Sequence, residues 1–147
     1  MAEATAQAGT PEDTLYLDLK DGRVEIELRP DLAPNHVARI KELARQGFYD
    51  GLVFHRVIDG FMAQTGDPKG DGTGGSGKKL AAEFSRVAKH VRGTVSMARS
   101  SDPNSGDSQF YIMFAPSSHL DGQYTIWGQV VKGMDVVDRI KRGDQRQ

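Results

Sequence analysis

The residues that usually carry covalent chemistry are sparse in this chain, and they lack the spacing such chemistry needs. The sequence has no cysteine, which excludes disulfides, thiol catalysis and cysteine-ligated zinc. Its four histidines share no metal-ligand spacing. Serines such as Ser96 and Ser108 lie in no nucleophile elbow. The sequence therefore predicts a site without a covalent nucleophile, a metal ion or a cofactor.

A glycine-dense stretch at residues 66–77 partly matches two nucleotide-binding motifs, a dinucleotide-binding turn and a phosphate-binding loop. Gly70, Gly72 and Gly75 have the spacing of a dinucleotide-binding turn. However, no acidic residue follows about twenty positions on, and no strand–helix–strand unit is predicted around them. Lys79 stands where a phosphate-binding loop needs Ser or Thr to hold magnesium. We therefore expect a flexible loop here and no nucleotide site.

The most promising polar side chain is Arg56, which lies in the run FHRVIDGFMAQTGD at residues 54–67. The same run supplies apolar Phe61 and Met62 and the amide of Gln64. An apolar pocket beside hydrogen-bond donors suits rotation about the peptide bond before proline, in which no bond is made or broken. That rotation faces a barrier of roughly 18–20 kcal/mol because amide resonance is lost. A catalyst needs only to bind the twisted amide better than the planar forms.

The register of the predicted hairpin decides whether these side chains meet. With a two-residue loop at 59–60, Arg56 lies across from Ala63. With a three-residue loop at 59–61, Arg56 faces Gln64 instead. Local rules do not choose between the two, but only the second register assembles a site.

Short strands and two helices are predicted around this run. Alternating apolar residues predict a hairpin with strands at 15–19 and 24–28 and a turn at Asp21–Gly22. Further strands are predicted at 52–58, 61–65, 91–98, 109–114 and 124–131, and helices at 34–46 and 134–140. Because no strand–helix–strand rhythm is present, the pattern predicts a mainly antiparallel sheet closed on itself as a barrel.

Length and composition predict one globular domain without a charged partner. The chain has 147 residues and a net charge of -1, with its basic residues scattered, so neither a nucleic-acid nor an anionic-membrane partner is expected. No apolar run is long enough to span a membrane. Residues 1–13 lack Lys and Arg and predict a disordered leader, not a secretory signal, before a domain at 14–147. A cytoplasmic location is the resulting expectation.

Four spaced motifs together resemble the cyclophilin family of peptidyl-prolyl cis/trans isomerases. They are FHRVIDGFMAQTGD at 54–67, GDGTGG at 70–75, GTVSMA at 93–98 and SGDSQFYI at 105–112. The resemblance extends over residues 15–142 and implies a closed antiparallel eight-stranded β-barrel flanked by two α-helices. It also implies isomerase activity on X-Pro bonds in unfolded or flexible protein segments, assistance to protein folding, and no cofactor.

The resemblance implies a role for each matching position. Arg56 resembles the family's catalytic arginine, whose guanidinium hydrogen-bonds the proline nitrogen as that atom loses conjugation. The catalytic set would be Arg56, Gln64 and Phe61, with Gln64 binding substrate backbone and orienting Arg56. The proline pocket would be lined by Phe61, Met62, Tyr111 and Leu120, with His119 and Tyr124 at its side. The adjoining peptide groove would be shaped by Gly72, Ala98, Arg99 and Gln109.

Four of these positions depart from the best-known eukaryotic pattern. Tyr111 stands in place of Phe, and Arg99 replaces an Asn that contacts peptide through its backbone. His119 replaces a tryptophan associated with ciclosporin binding, and Tyr124 replaces a His beside the pocket. The last two resemble bacterial-type cyclophilins. We therefore expect retained isomerase activity with weak ciclosporin binding.

The C-terminal residues 141–147 are too polar to resemble the strand that closes the barrel in relatives. Either the chain is truncated or the barrel closes differently, and a monomer is expected. A non-enzymatic peptide-binding or chaperone module using the same groove is the alternative function. Arg56 favours the enzyme, because a mere binder would not require it.

Overall fold

The computed structural model describes residues 2–6 and 13–144, and the nine strands among them form one curled antiparallel sheet. The strands are β1 (Ala2–Ala6), β2 (Thr14–Leu19), β3 (Gly22–Leu28), β4 (Arg56–Ile58), β5 (Met62–Thr65), β6 (Thr94–Met97), β7 (Phe110–Met113), β8 (Ile126–Lys132) and β9 (Gly143–Asp144). The helices are α1 (Pro34–Arg45) and α2 (Met134–Asp138), and a 3₁₀ turn spans Ser118–Leu120. The order across the sheet is β1-β2-β3-β8-β6-β7-β5-β4-β9.

The sheet is an open half-barrel, which corrects the expected closed eight-stranded barrel. Seven strands, β2 to β8, form the curled half-barrel, and β1 and β9 extend its two ends. Closure would require pairing between β1 and β9, and no such pairing occurs among the described residues. The two-residue β9 instead pairs with the edge of β4. The mainly antiparallel class and the two flanking helices are as predicted.

The β2–β3 hairpin follows the alternation seen in the sequence. Leu15 and Leu17 on β2 and Ile26 on β3 are buried, while acidic neighbours such as Glu25 stay accessible. Leu19 pairs with Gly22, so the connection is residues 20–21, one position earlier than predicted. One face of this hairpin therefore supports the core, and period-two patterning was sufficient to predict it.

Helix α1 packs its apolar stripe on the sheet and is capped from elsewhere in the chain. Its buried residues are His36, Val37, Ile40, Leu43 and Ala44. No side chain of its own N-terminus forms a cap. The Glu83 carboxylate accepts the N–H groups of Asn35 and His36 at 3.1 and 2.8 Å, which satisfies two of the free donors of the first turn.

The described part of the N-terminal segment contains one short strand. Ala2–Ala6 forms β1 and pairs antiparallel with β2. Without β1, strand β2 would be the edge of the sheet, with unpaired backbone groups that accept an additional strand readily. Residues 1 and 7–12 lie outside the described part of the chain, and the division into leader and domain stays a prediction.

Candidate active site

Two neighbouring strands present their opposite faces to two different apolar clusters. On β7, Phe110 and Ile112 point into the main core, whereas Tyr111 and Met113 belong to a second, smaller cluster. On β5, Ala63 points into the main core and Met62 joins the second cluster. Because side chains alternate along a strand, one face of β5 and β7 packs into the main core and the opposite face is available for a site.

The β4–β5 hairpin has the register that assembles the expected site. Arg56 pairs with Gln64 and Ile58 pairs with Met62, so the connection is the three residues 59–61. The Phe61 N–H donates to the Ile58 carbonyl at 3.0 Å and closes this turn. Gln64 also pairs with Tyr111 on β7. Arg56, Gln64 and Tyr111 therefore lie side by side on the outer face of three adjacent strands.

Ten of the twelve predicted site residues line one open cleft of about 670 Å³. They are Arg56, Phe61, Met62, Gln64, Ala98, Arg99, Tyr111, His119, Leu120 and Tyr124. The other two, Gly72 and Gln109, line an adjoining cavity of about 350 Å³. The two cavities share Gln64, Ala98 and Arg99, so all twelve residues belong to one continuous groove.

The floor of the cleft is apolar and well packed. Met62, Tyr111 and Leu120 are 2%, 5% and 6% exposed. Phe61 and Tyr124 pack against this cluster from its sides, and the Tyr111 and Tyr124 rings meet edge to face at 5.9 Å between centroids. Burial raises the pKa of the Tyr111 hydroxyl, so this ring stays neutral. The floor can receive an apolar ring of modest size.

Arg56 is half-buried in the wall of the cleft. No hydrogen bond joins its guanidinium to another side chain among residues 13–143. Gln64 lies opposite, but its amide donates to the Gln109 side-chain oxygen at 2.9 Å. The Gln109 amide in turn donates to the carbonyls of Gly72 and Gly74 at 3.0 and 2.9 Å. The expected orienting effect of Gln64 on Arg56 stays a prediction.

The far side of the cleft is formed by residues around the 3₁₀ turn and by Arg99. The Arg99 guanidinium lies 4.5 Å from the centroid of the Tyr124 ring and donates to the Gln123 carbonyl at 2.7 Å. The His119 ring is tilted 31° against Phe61, with 6.2 Å between centroids. Gln123 also lines the cleft. It is not among the residues predicted from the sequence, since no motif marks it.

His55 is the second lining residue that sequence reasoning assigned elsewhere. Its position next to Arg56 predicts the opposite face of β4, and the side chain is indeed buried, yet it also borders the cleft. Among the described residues, no group of three His, Asp or Glu side chains is arranged to hold a metal ion. The chemistry available in the cleft is therefore hydrogen bonding beside an apolar floor.

Comparison with known proteins assigns this groove to a family. The model of the family "Cyclophilin type peptidyl-prolyl cis-trans isomerase/CLD" matches residues 14–147. The chain belongs to the cyclophilins. The isomerase activity expected from the resemblance is thereby confirmed. The enzyme is favoured over the alternative of a non-enzymatic binding module.

Bacterial relatives and a solved structure agree with this assignment. The cyclophilin is 58% identical over 156 residues to a probable peptidyl-prolyl cis-trans isomerase of Brucella suis, covering 98% of this chain and 79% of that protein. It is 44% identical to peptidyl-prolyl cis-trans isomerase B of Bacillus subtilis, covering 89% and 92% of the two chains.

One similar solved structure is a Cryptosporidium parvum cyclophilin type peptidyl-prolyl cis-trans isomerase, determined in the presence of the dipeptide ala-pro. It superposes with a TM-score of 0.79 at 29% identity, covering 95% of this cyclophilin and 84% of that chain. Within the described residues, neither helix of this cyclophilin has the length and apolar character of a membrane span.

Proposed function

We propose that this cyclophilin accelerates rotation about X-Pro bonds in protein substrates, and that it does so by binding the twisted amide more tightly than either planar form. Arg56 is the main donor. The observation that carries the proposal is the position of Arg56, in the wall of a cleft whose floor is the apolar cluster around Met62, Tyr111 and Leu120. This arrangement pairs a proline-sized apolar surface with a charged donor.

The apolar floor supplies the binding half of the mechanism. A proline ring has no donor and exposes only carbon atoms, so it gains by leaving water for the surface made by Phe61, Met62 and Leu120. The related structure determined in the presence of ala-pro supports a proline-containing peptide as the substrate class. Binding of the ring alone holds both planar isomers and does not accelerate their exchange.

Arg56 supplies the part that distinguishes the twisted amide. In a planar peptide bond the proline nitrogen shares its lone pair with the carbonyl, and twisting returns that pair to the nitrogen. The guanidinium is permanently charged and donates several N–H bonds in a fixed plane. A hydrogen bond from Arg56 to that nitrogen therefore forms only as the amide twists, so it lowers the barrier instead of merely tightening binding.

The adjoining groove extends contact to the residues that flank proline. Gln64 and Gln109 are linked by a hydrogen bond, and Gln109 is linked to the glycine-rich loop at Gly72 and Gly74. Backbone and amide groups of this kind bind the peptide main chain, which every sequence shares. We propose broad specificity for the residue before proline and a role in protein folding. We propose further that the protein acts in the cytoplasm as a monomer.

The test compares wild type with Arg56→Ala and Arg56→Lys on an Ala-Pro peptide by NMR exchange spectroscopy. We expect kcat/KM to fall about 100-fold in Arg56→Ala, the scale for removal of one transition-state donor. Arg56→Lys keeps the charge but loses the planar fork, so it should recover only part of the rate. Arg86→Ala, an exposed arginine outside the cleft, is the matched control and should keep full activity.

Two outcomes would count against this mechanism. Full exchange activity in Arg56→Ala would remove Arg56 from its central role. Peptide binding by wild type without faster exchange would contradict the proposed rate enhancement.

The weak ciclosporin binding expected from His119 is tested separately by calorimetry, where a sub-micromolar dissociation constant would contradict it.

A further inference from the structure

A buried histidine outside the cleft holds the segment that forms one wall of it. His90 is 1% exposed and precedes β6 in the chain. Its backbone carbonyl accepts the Ser117 N–H at 3.0 Å. Its backbone N–H and its Nδ1 both lie within hydrogen-bond distance of one Asp121 carboxylate oxygen, at 2.6 and 3.0 Å. His90 thus holds residues 117–121, the pocket wall, at both of its ends.

The held segment carries two residues of the cleft. His119 and Leu120 lie between the two attachment points and line the cleft, and Leu120 is part of its apolar floor. The segment is short and contains only a single 3₁₀ turn. The hydrogen bonds inside the segment fix its turn but not its place beside the cleft, so its position depends on the contacts at its ends.

The imidazole is fixed from its other side by the floor of the pocket. Nε2 lies 3.0 Å from the Ser96 hydroxyl oxygen and 3.4 Å from the Tyr111 hydroxyl. The rings of His90 and Tyr111 are nearly parallel, with an interplanar angle of 19°. Since a carboxylate can only accept, Nδ1 carries the proton toward Asp121 and Nε2 accepts from a hydroxyl. Each ring nitrogen therefore has a polar partner within reach.

Electrostatics favour this neutral, oriented ring. Burial lowers the pKa of His90 from its ordinary value of 6.5, and this effect outweighs the opposing effect of Asp121. The His90 backbone N–H is the main cause that lowers the pKa of Asp121 below its ordinary 3.8. At neutral pH the pair is an uncharged imidazole donating to a carboxylate, a charge-assisted bond that is stronger than a neutral one.

We propose that His90 and Asp121 are positioning residues of the isomerase: together they hold the pocket wall so that Leu120 and His119 stay against the bound proline. Neither residue needs to touch the substrate. The inference rests on the proposed use of the cleft as the proline site. Its consequence is that releasing the wall weakens proline binding, while the donor Arg56 on β4 remains in place.

The test measures kcat and KM on an Ala-Pro peptide for His90→Asn, Asp121→Ala and Asp121→Asn. Asp121→Ala removes the acceptor at a partly exposed position, and we expect kcat/KM to fall about tenfold, mostly through KM, as expected for a misplaced binding group. Asp121→Asn keeps an oxygen that can accept both bonds, so it should restore most of the loss. For KM, the double variant His90→Asn with Asp121→Ala should be little worse than Asp121→Ala alone, because Asp121→Ala already removes the bond between the imidazole and the carboxylate.

His36→Asn is the matched control. His36 is also 1% exposed and also pairs with a carboxylate, Glu83 at 2.6 Å, but it does not line the cleft. We expect it to lower stability without changing KM. The proposal is overturned if Asp121→Ala keeps the wild-type KM, or if Asp121→Asn is as impaired as Asp121→Ala. Loss of activity in Arg56→Ala alone, with these variants unaffected, leaves the proposed function standing and removes only the positioning role.

Discussion

Some polar side chains of the groove are already hydrogen-bonded to other protein groups. Gln109 is an example, because its amide bonds Gln64 on one side and two glycine carbonyls, of Gly72 and Gly74, on the other. Each such neutral bond contributes about 1 kcal/mol to the arrangement. The side chain therefore joins the glycine-rich loop to the strand that faces Arg56.

The first prediction concerns this link. In Gln109→Glu the new carboxylate oxygen faces the Gly72 and Gly74 carbonyls, which are also acceptors, so both bonds are replaced by repulsion. We expect kcat/KM for a peptide extended before proline to fall about tenfold, equivalent to about 1.4 kcal/mol. A minimal Ala-Pro substrate should be affected less, since it does not reach the second cavity. Gln46→Glu, at an exposed position at the end of α1, is the control, and equal losses on both substrates would contradict the prediction.

At the scale of elements, the site depends on how tightly the ends of β5 and β7 approach each other. Gly66 follows β5 with φ of +98°, and a Cβ there would lie 2.4 Å from the Ser108 carbonyl oxygen and 2.9 Å from the Gln109 Cα. Glycine is therefore required at position 66 for two reasons, the positive backbone φ and the lack of space for a Cβ atom. Gly60, in the β4–β5 turn, has φ of +73° but no atom within 4 Å of such a Cβ.

The second prediction compares these two glycines. Gly60→Ala incurs only the cost of a left-handed backbone, about 1–2 kcal/mol. Gly66→Ala adds a clash with backbone atoms that cannot move independently, and we expect about 1–3 kcal/mol of further destabilisation. Urea unfolding of both variants measures the difference. Equal midpoints for the two variants would show that the β5–β7 approach is looser than the structure indicates.

At the scale of the whole molecule, one curved sheet separates the main core from the site. The core holds the α1 stripe against the inner face, and the cleft occupies the outer face of β4, β5 and β7. Two buried histidines pair with carboxylates from distant parts of the chain, His36 on α1 with Glu83 and His90 with Asp121. Stability in acid therefore depends on groups far from one another in the chain.

The third prediction is a loss of stability as pH falls below about 6.5. Burial lowers the pKa of both His36 and His90 from 6.5. Between these lowered pKa values and 6.5, the two side chains are largely protonated in the unfolded chain and largely neutral in the folded chain. The unfolded state then binds more protons, and the free energy of unfolding falls with falling pH. The lowered pKa values of Glu83 and Asp121 act in the same direction below 4.5 and 3.8.

Urea midpoints at about pH 7.5 and about pH 5 measure this effect. Wild type should unfold at a lower urea concentration at the lower pH. His36→Asn removes one of the two titrating groups and should show a smaller change between the two conditions. A wild-type urea midpoint that is the same at both pH values would contradict the lowered pKa values of the two histidines.

The sequence by itself determined strands β2 to β8, both helices and most of the groove residues. Period-two alternation predicted β2 and β3, and the stripe over 34–46 predicted α1, because local patterns follow directly from which face must be buried. The resemblance carried by the run at 54–67 and its companion motifs pointed to twelve groove residues, which the structure brings into two joined cavities. Local patterns are sufficient for the elements, whereas the groove residues came from the resemblance to the cyclophilins.

Only the tertiary structure decided the arrangements that depend on contacts between distant segments. It chose the three-residue β4–β5 turn that places Arg56 opposite Gln64, where local rules left two registers open. It also showed that the sheet stays open, that Glu83 caps α1 from 47 residues away, and that His90 holds the pocket wall. Register, closure and long-range caps are set by packing between elements that are remote in sequence, and that packing has no local pattern to read.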